Sequence, residues 1–165
     1  MANDALKKNL PERKKLMHAI PSWVPDGARY FITINCRVRG NNQLCREPVA
    51  PSLLESVEVY ERLGRWYPWL LVVMPDHVHL LASFDRQLGL RRVIAAWKSY
   101  HAKQQGIVWQ PDFFEHRLRT DDEFVEKAAY VRQNPFRKGL VARVEDWPYL
   151  WERGSKAPMH PSEQD

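Results

Sequence analysis

Hydrophobic and polar residues alternate along the chain from Tyr30 to Val38. A period of two is typical of a β-strand with one face on a core. The positions expected on that face are Tyr30, Ile32, Ile34, Cys36 and Val38. After a polar turn, Ser52 and Glu55 have the spacing of a capping box, and apolar residues recur at helical spacing behind them. A first helix is therefore predicted to begin at Ser52 and to end at Gly64.

Two apolar runs come next, from Trp66 to Met74 and from His77 to Phe84, separated only by Pro75-Asp76. Two runs with so short a polar break predict an antiparallel hairpin. A second helix is predicted from Leu88 to Gln105, because apolar residues recur there every three or four positions and Gly106 supplies a stop.

The last third of the chain predicts an extended segment and a third helix. The residues from Trp109 to Arg119 are of mixed character and are expected to be extended. Thr120 and Glu123 form a second capping box, and Pro135 is expected to close the helix that they begin. This order of elements predicts an α+β domain of ferredoxin-like type, an antiparallel sheet with helices packed on it.

The chain has 165 residues, enough for one domain that buries a core. We expect residues 26–152 to form that domain, with an N-terminal extension over residues 1–25 and a flexible tail over residues 153–165. No apolar run reaches the length of about 18 residues that a membrane helix needs. The charged N-terminal residues are unlike a secretory signal, and two cysteines make a poor disulfide framework, so a reduced, cytoplasmic protein is expected.

The charge balance favours a polyanionic partner. Lys and Arg number 25 against 20 Asp and Glu, which gives a net charge of +5. Aromatic residues are interleaved with the later basic residues, a combination that single-stranded nucleic acid uses for stacking and phosphate binding. The alternative is that the aromatic residues fill the core and the basic ones only solubilise the surface. The candidate DNA contacts are Arg37, Arg92, Lys98, Arg117, Arg132, Arg137 and Lys138.

His77 and His79 are two residues apart on the predicted third strand. Their imidazoles therefore project from the same face, close enough to share one divalent ion. The alternative is a pair of polar residues on a solvated strand face. A structural zinc site is disfavoured, because no Cys-x-x-Cys pair or third nearby His or Cys completes a tetrahedron.

Tyr130 and Asn134 lie off the core stripe of the third helix. Phe124, Ala128 and Val131 form that stripe, and Tyr130 is about a third of a turn away from it. Asn134 follows one turn later, so the two side chains are well placed to face a cleft. The alternatives are a tyrosine at the helix edge with its hydroxyl in water, and an asparagine that caps the helix end.

Two stretches in this order resemble a known family. They are Met74-Pro75-Asp76-His77-Val78-His79-Leu80-Leu81 and Tyr130-Val131-Arg132-Gln133-Asn134-Pro135-Phe136-Arg137-Lys138-Gly139-Leu140-Val141. Together they resemble the REP-associated tyrosine transposases, the single-tyrosine branch of the HUH nucleases. The shorter segments Trp97-Lys98, Trp109-Gln110, Phe113-Phe114 and Asp146-Trp147-Pro148 are similar to the family as well, so the similarity spans residues 30–149.

The resemblance implies a metal-dependent enzyme that cleaves and rejoins single-stranded DNA at or beside a hairpin. We expect the protein to be a monomer or a homodimer. The resemblance implies that Tyr130 is the nucleophile and forms a 5′-phosphotyrosine. It also implies that His77 and His79 hold Mg²⁺ or Mn²⁺ and that Asn134 completes the metal site. Two alternatives are a hairpin-binding protein with a vestigial site and a metal hydrolase that activates water while Tyr130 is merely structural.

Overall fold

The structure is a computed structural model that describes Trp23, Val24 and residues 27–155. Almost all of the expected N-terminal extension, residues 1–25, and most of the expected tail, residues 153–165, lie outside the described residues. The domain boundaries therefore stay predictions. No helix in the described part of the chain is long and apolar enough to cross a membrane.

The described chain forms a five-stranded antiparallel sheet, three α-helices and one short 3₁₀ turn. The elements are β1 (Arg29–Asn35), α1 (Val49–Arg62), β2 (Trp66–Met74), β3 (His77–Phe84), α2 (Leu90–Gln105), β4 (Phe114–Leu118), α3 (Asp121–Arg137), the 3₁₀ turn (Val144–Asp146) and β5 (Leu150–Glu152). The strand order is β4-β1-β3-β2-β5. The α+β, ferredoxin-like fold predicted from the sequence is confirmed, since the first six elements follow the order βαββαβ around one antiparallel sheet.

Helices cover both faces of the sheet. On one face, α1 and α2 pack through residues such as Leu53 and Trp97 against β1, β2 and β3. On the other face, α3 packs through Val131 and Ala128 against Phe31 and neighbouring strand residues. Because β3 lies in the middle of the sheet and both of its faces are covered, all of its residues are buried, including the polar His77, His79 and Ser83.

The first strand and the first helix differ from their predicted bounds. β1 ends at Asn35, Cys36 beyond it forms only an isolated bridge with Trp109, and Val38 is exposed rather than on the core face. The helix begins at Val49, not at Ser52. Pro48 occupies the N-cap position and the Ser52 N–H already donates to its carbonyl, so Ser52 lies inside the first turn.

The third helix starts as predicted and ends later. The Thr120 hydroxyl accepts from the Glu123 N–H, and Glu123 accepts from the Arg119 N–H, which confirms the capping box. Pro135 does not close the helix, which continues to Arg137. A proline removes one N–H donor but leaves its own carbonyl free, and that of Pro135 accepts from the Leu140 N–H as the helix ends.

Candidate metal centre and nucleophile

His77 and His79 lie on the face of β3 that α3 covers. A strand turns every second side chain to the same face, and the tight turn before His77 places the pair at the start of the central strand. In the sheet, Asn35 is opposite His77 and Thr33 is opposite His79. Both imidazoles are nearly buried, so neither is the solvated surface residue that the sequence left open as an alternative.

Three side chains meet at one point between the sheet and α3. The Nε2 atoms of His77 and His79 are 3.2 Å apart. The amide nitrogen of Asn134 lies 2.8 Å from Nε2 of His79. Asn134 is itself buried, on the side of α3 that faces the sheet. The structure therefore brings together the three residues that were expected to hold a metal.

The other nitrogen of each imidazole has a hydrogen-bond partner in the sheet. Nδ1 of His77 is 2.7 Å from the Asp76 carboxylate, and Nδ1 of His79 is 2.9 Å from the Thr33 hydroxyl. When each Nδ1 carries the proton and donates it, each Nε2 keeps a lone pair directed at the shared point. The Asp76 carboxylate is held in turn by the Gly40 N–H at 2.7 Å and by the Arg39 side chain at 3.3 Å.

Burial keeps both imidazoles neutral at pH 7. Burial, with smaller effects from His77 and Lys127, lowers the pKa of His79 to about 3. Burial also lowers the pKa of His77, although the hydrogen bond to Asp76 opposes this. Burial alone would raise the pKa of Asp76, but hydrogen bonds from Gly40 and His77 outweigh it and the pKa lies below its usual value. The site thus combines two neutral imidazoles with an ionised carboxylate behind one of them.

The donor set fits a divalent cation. Two ligands at adjacent positions around an ion with bonds of about 2.1 Å are about 3 Å apart, close to the separation of the two Nε2 atoms. Asn134 adds a side-chain amide. A rotation of this amide by 180° exchanges its nitrogen and oxygen, so that the oxygen would face the ion. No group of three or more His, Cys, Asp or Glu that could hold a metal occurs in the described chain, so a third protein ligand beside the two imidazoles would have to be the Asn134 amide. Three ligands leave positions open for a phosphate.

Tyr130 lies one helical turn before Asn134 and is 42% exposed. Its ring contacts two cations: Lys127 Nζ lies 5.2 Å from the ring centroid and the Arg137 guanidinium 4.8 Å. The same Lys127 ammonium is 4.7 Å from the ring of Phe31, which packs 5.3 Å from the ring of His79. The phenol ring is therefore on the same side of the sheet as the imidazoles and is linked to His79 by the successive contacts of Lys127 and Phe31.

Five of the seven predicted DNA contacts have exposed side chains. Arg37, Arg92 and Arg117 are exposed. Arg137 and Lys138 are exposed at the end of α3, and Lys138 is near enough to lower the pKa of both His77 and His79. These positions are consistent with contacts to a phosphate backbone that approaches the imidazole pair.

The other two predicted DNA contacts are engaged within the protein. Lys98 is buried, and its ammonium donates to the carbonyls of Gln110, Pro111 and Asp112 at 2.7, 3.3 and 3.3 Å. Its placement contradicts a role in binding phosphate. Arg132 donates to the Glu152 carboxylate, which compensates its charge. A count of basic residues does not distinguish a cation that is already paired from one that is free.

Three residues at the site were not predicted. Asp76 and Thr33 orient the imidazoles, and Lys127 lies between Tyr130 and Phe31. Asp76 had a local signal, since it immediately precedes His77 in a tight turn. Lys127 is three positions before Tyr130, a helical neighbour spacing. Thr33 had no local signal, because only the pairing of β1 with β3 places it opposite His79.

Comparison with known proteins gives relatives along most of the chain, although no family model matches. The chain is 28% identical over 160 residues to a protein of Haemophilus influenzae named "Putative REP-associated tyrosine transposase", covering 83% of this chain and 87% of that protein. It is 27% identical over 131 residues to the REP-associated tyrosine transposase of Escherichia coli, covering 74% of this chain and 75% of that protein.

A solved structure shares the fold. It is that of a REP-associated tyrosine transposase bound to a REP hairpin, with a TM-score of 0.58 and 25% sequence identity, covering 75% of this chain and 76% of the other. The sequence and structure comparisons therefore agree with the resemblance of the two motifs that contain His77 and Tyr130. Along most of its length the chain is similar to REP-associated tyrosine transposases.

Proposed function

We propose that the chain is a metal-dependent endonuclease and strand transferase that acts through a tyrosine on single-stranded DNA beside a hairpin. One observation carries the proposal: the Nε2 atoms of His77 and His79 and the amide of Asn134 converge, one helical turn from an exposed tyrosine. The likeness to a transposase bound to a REP hairpin supports hairpin DNA as the substrate. The relatives named as transposases support an enzyme rather than a binding protein.

His77, His79 and Asn134 are the residues that would hold Mg²⁺ or Mn²⁺. When bound, the ion supplies positive charge to the non-bridging oxygens of the scissile phosphate, which otherwise repel an anionic nucleophile. Asp76 and Thr33 fix the orientation of the two rings and leave each Nε2 directed at the shared point. The exposed cations Arg137 and Lys138 lie where they can hold the backbone of the incoming strand.

Tyr130 is the proposed nucleophile. Its phenol oxygen attacks phosphorus and forms a P–O bond while the bond to the 3′-oxygen breaks, which leaves a free 3′-OH and a 5′-phosphotyrosine. The proton that the phenol loses is balanced by the one that the departing 3′-oxygen takes up. The covalent ester retains the energy of the broken bond, so a 3′-OH can later attack it and rejoin the strand. Hydrolysis by water would discard that energy.

The experiment is a search for the covalent intermediate. The protein is incubated with Mn²⁺ and labelled hairpin DNA that carries single-stranded flanks, taken from repeated palindromes of the same genome, and the products are separated on denaturing gels. We expect label to migrate with the protein, and Tyr130→Phe to abolish this attachment while hairpin binding on native gels is retained. Tyr100→Phe is the matched control, because Tyr100 is an exposed tyrosine on α2, on the opposite side of the sheet.

Two other outcomes correspond to the alternatives. Cleavage without attachment that is indifferent to Tyr130→Phe would replace the strand transferase with a hydrolase. Binding on native gels without cleavage under any divalent ion would leave only a hairpin-binding protein. Removal of the metal with a chelator is expected to stop cleavage, and His77→Ala is expected to do the same, since it deletes one of three ligands.

A further inference from the structure

A row of aromatic rings leads from the imidazole pair to solvent. The ring centroid of Phe31 is 5.3 Å from that of His79, and the ring of Phe114 is 6.1 Å from that of Phe31. In the sheet, His79 and Phe114 are both paired with Thr33, on its two sides, so their side chains point to the same face. Phe31 is buried, whereas Phe114 is 55% exposed. The row therefore ends in an open ring at the β4 edge, on the face that carries the candidate metal site.

A lysine ammonium lies above this row. Lys127 Nζ is 4.7 Å from the ring centroid of Phe31 and 5.2 Å from that of Tyr130. None of the ion pairs among residues 27–155 involves Lys127, so the acidic side chains of the described chain leave its charge uncompensated. An uncompensated ammonium held by two aromatic faces is a ready partner for an anion.

We propose that Phe114 and Lys127 form a nucleotide subsite for single-stranded DNA, with one base stacked on the Phe114 ring and the backbone phosphate bound by Lys127. Its place next to the scissile phosphate rests on the function proposed above. Every base has a π-face, so this subsite tolerates different sequences and holds the strand in position rather than reading it. The strand would then run from Tyr130 towards the β4 edge.

The surroundings favour nucleic acid over a protein partner. β4 is an edge strand, and a protein could add a strand to it through backbone hydrogen bonds. Such pairing would use the strand edge and would need neither the exposed Phe114 ring nor the uncompensated Lys127 charge above the sheet face. A base followed by a phosphate accounts for both features.

Binding of a fluorescent single-stranded oligothymidylate of about 20 nucleotides tests the subsite, measured by anisotropy with a chelator present so that cleavage is excluded. Phe114→Ala is expected to weaken binding by between about 5-fold and 150-fold, the effect of losing one stacked base, while Phe114→Trp restores it. Tyr100→Ala removes an equally exposed ring from α2, on the opposite side of the sheet, and is expected to leave binding unchanged.

Salt dependence separates the two roles. Lys127→Met is expected to reduce the slope of log affinity against log salt by about 0.7, the contribution of one phosphate contact on a single strand. Phe114→Ala is expected to weaken binding and leave that slope as it is, because no charge is lost. Thermal unfolding confirms that each variant is folded, and a purely structural role for Lys127 would lower the melting temperature without changing the slope.

Three results would overturn the subsite: unchanged oligothymidylate affinity in Phe114→Ala, an equal loss in Tyr100→Ala, or a changed oligomeric mass in Phe114→Ala with unchanged DNA affinity. The last would assign the ring to a protein interface. The strand transferase is judged separately, by the covalent adduct of the unaltered protein. An adduct with no effect of Phe114→Ala removes only the subsite, whereas a stacking effect without any adduct removes only the strand transferase.

Discussion

Asp76 is predicted to set the metal affinity of the site although it is not among the proposed ligands. Its carboxylate is 2.7 Å from Nδ1 of His77 and is held by the Gly40 N–H and the Arg39 side chain. Asp76→Asn keeps the shape of the side chain and removes its charge. The amide still fills the turn, so the fold is expected to survive, but His77 exchanges its ionised acceptor for a weaker, neutral one and its ring is held less firmly.

The hydrogen bonds of the site give the size of the effect. A partner behind a metal-bound histidine is typically worth about 10-fold to 100-fold in metal affinity, or about 1.4 to 2.7 kcal/mol. The bond from His77 to Asp76 is charge-assisted, whereas the bond from His79 to Thr33 is between neutral groups and is about half as strong. We therefore expect Asp76→Asn to weaken Mn²⁺ binding near the upper end of that range and Thr33→Val near the lower end.

Titration of Mn²⁺ into the full chain, followed by calorimetry or by the electron paramagnetic resonance signal of free Mn²⁺, measures this directly. Asp112→Asn is the matched control, because it also removes one carboxylate charge, but from an exposed side chain whose ion pair with Arg91 is long, at 3.8 Å. Equal Mn²⁺ affinity in Asp76→Asn and in the unaltered protein would show that the carboxylate does not act through His77. A larger loss in Thr33→Val than in Asp76→Asn would refute the argument from hydrogen-bond strength.

Two further predictions concern groups that support the fold. Burial lowers the pKa of the fully enclosed His101 from 6.5 to about 4. The neutral ring therefore makes its full contribution to the free energy of unfolding above pH 6.5, and about 3 kcal/mol of that contribution is lost as the pH falls to 4. Urea unfolding of the unaltered protein and of His101→Leu at a series of pH values measures this, and the variant is expected to lose less stability in acid. The same pH dependence in the two proteins would contradict the prediction. His77 and His79 are present in both proteins, so their contributions cancel in the comparison. Lys98→Met leaves three loop carbonyls without their donor and is expected to lower the free energy of unfolding by about 1 to 3 kcal/mol without changing oligothymidylate affinity. Weaker DNA binding in a fully folded Lys98→Met protein would restore Lys98 as a DNA contact.

Local signals predicted most of the elements. The bounds of β2 and β3 match the prediction, Gly106 ends α2 in a left-handed conformation, and Thr120 caps α3. The two helix ends that differ from the prediction have local causes. At α1 a proline occupies the N-cap position ahead of the predicted serine. At α3 Pro135 stands two residues before the helix ends at Arg137, and its carbonyl still accepts from the Leu140 N–H.

The sequence by itself determined that His77 and His79 share a face and that Tyr130 and Asn134 lie one helical turn apart, because strand and helix periods are local geometry. Only the tertiary structure decided that Asn134 reaches His79 across the layers, and that Lys98 is enclosed while Lys127 stays uncompensated. These facts depend on which elements pack together. The sequence specifies the charge of a side chain, but the residues that pair with it are brought close by the fold from distant positions in the sequence.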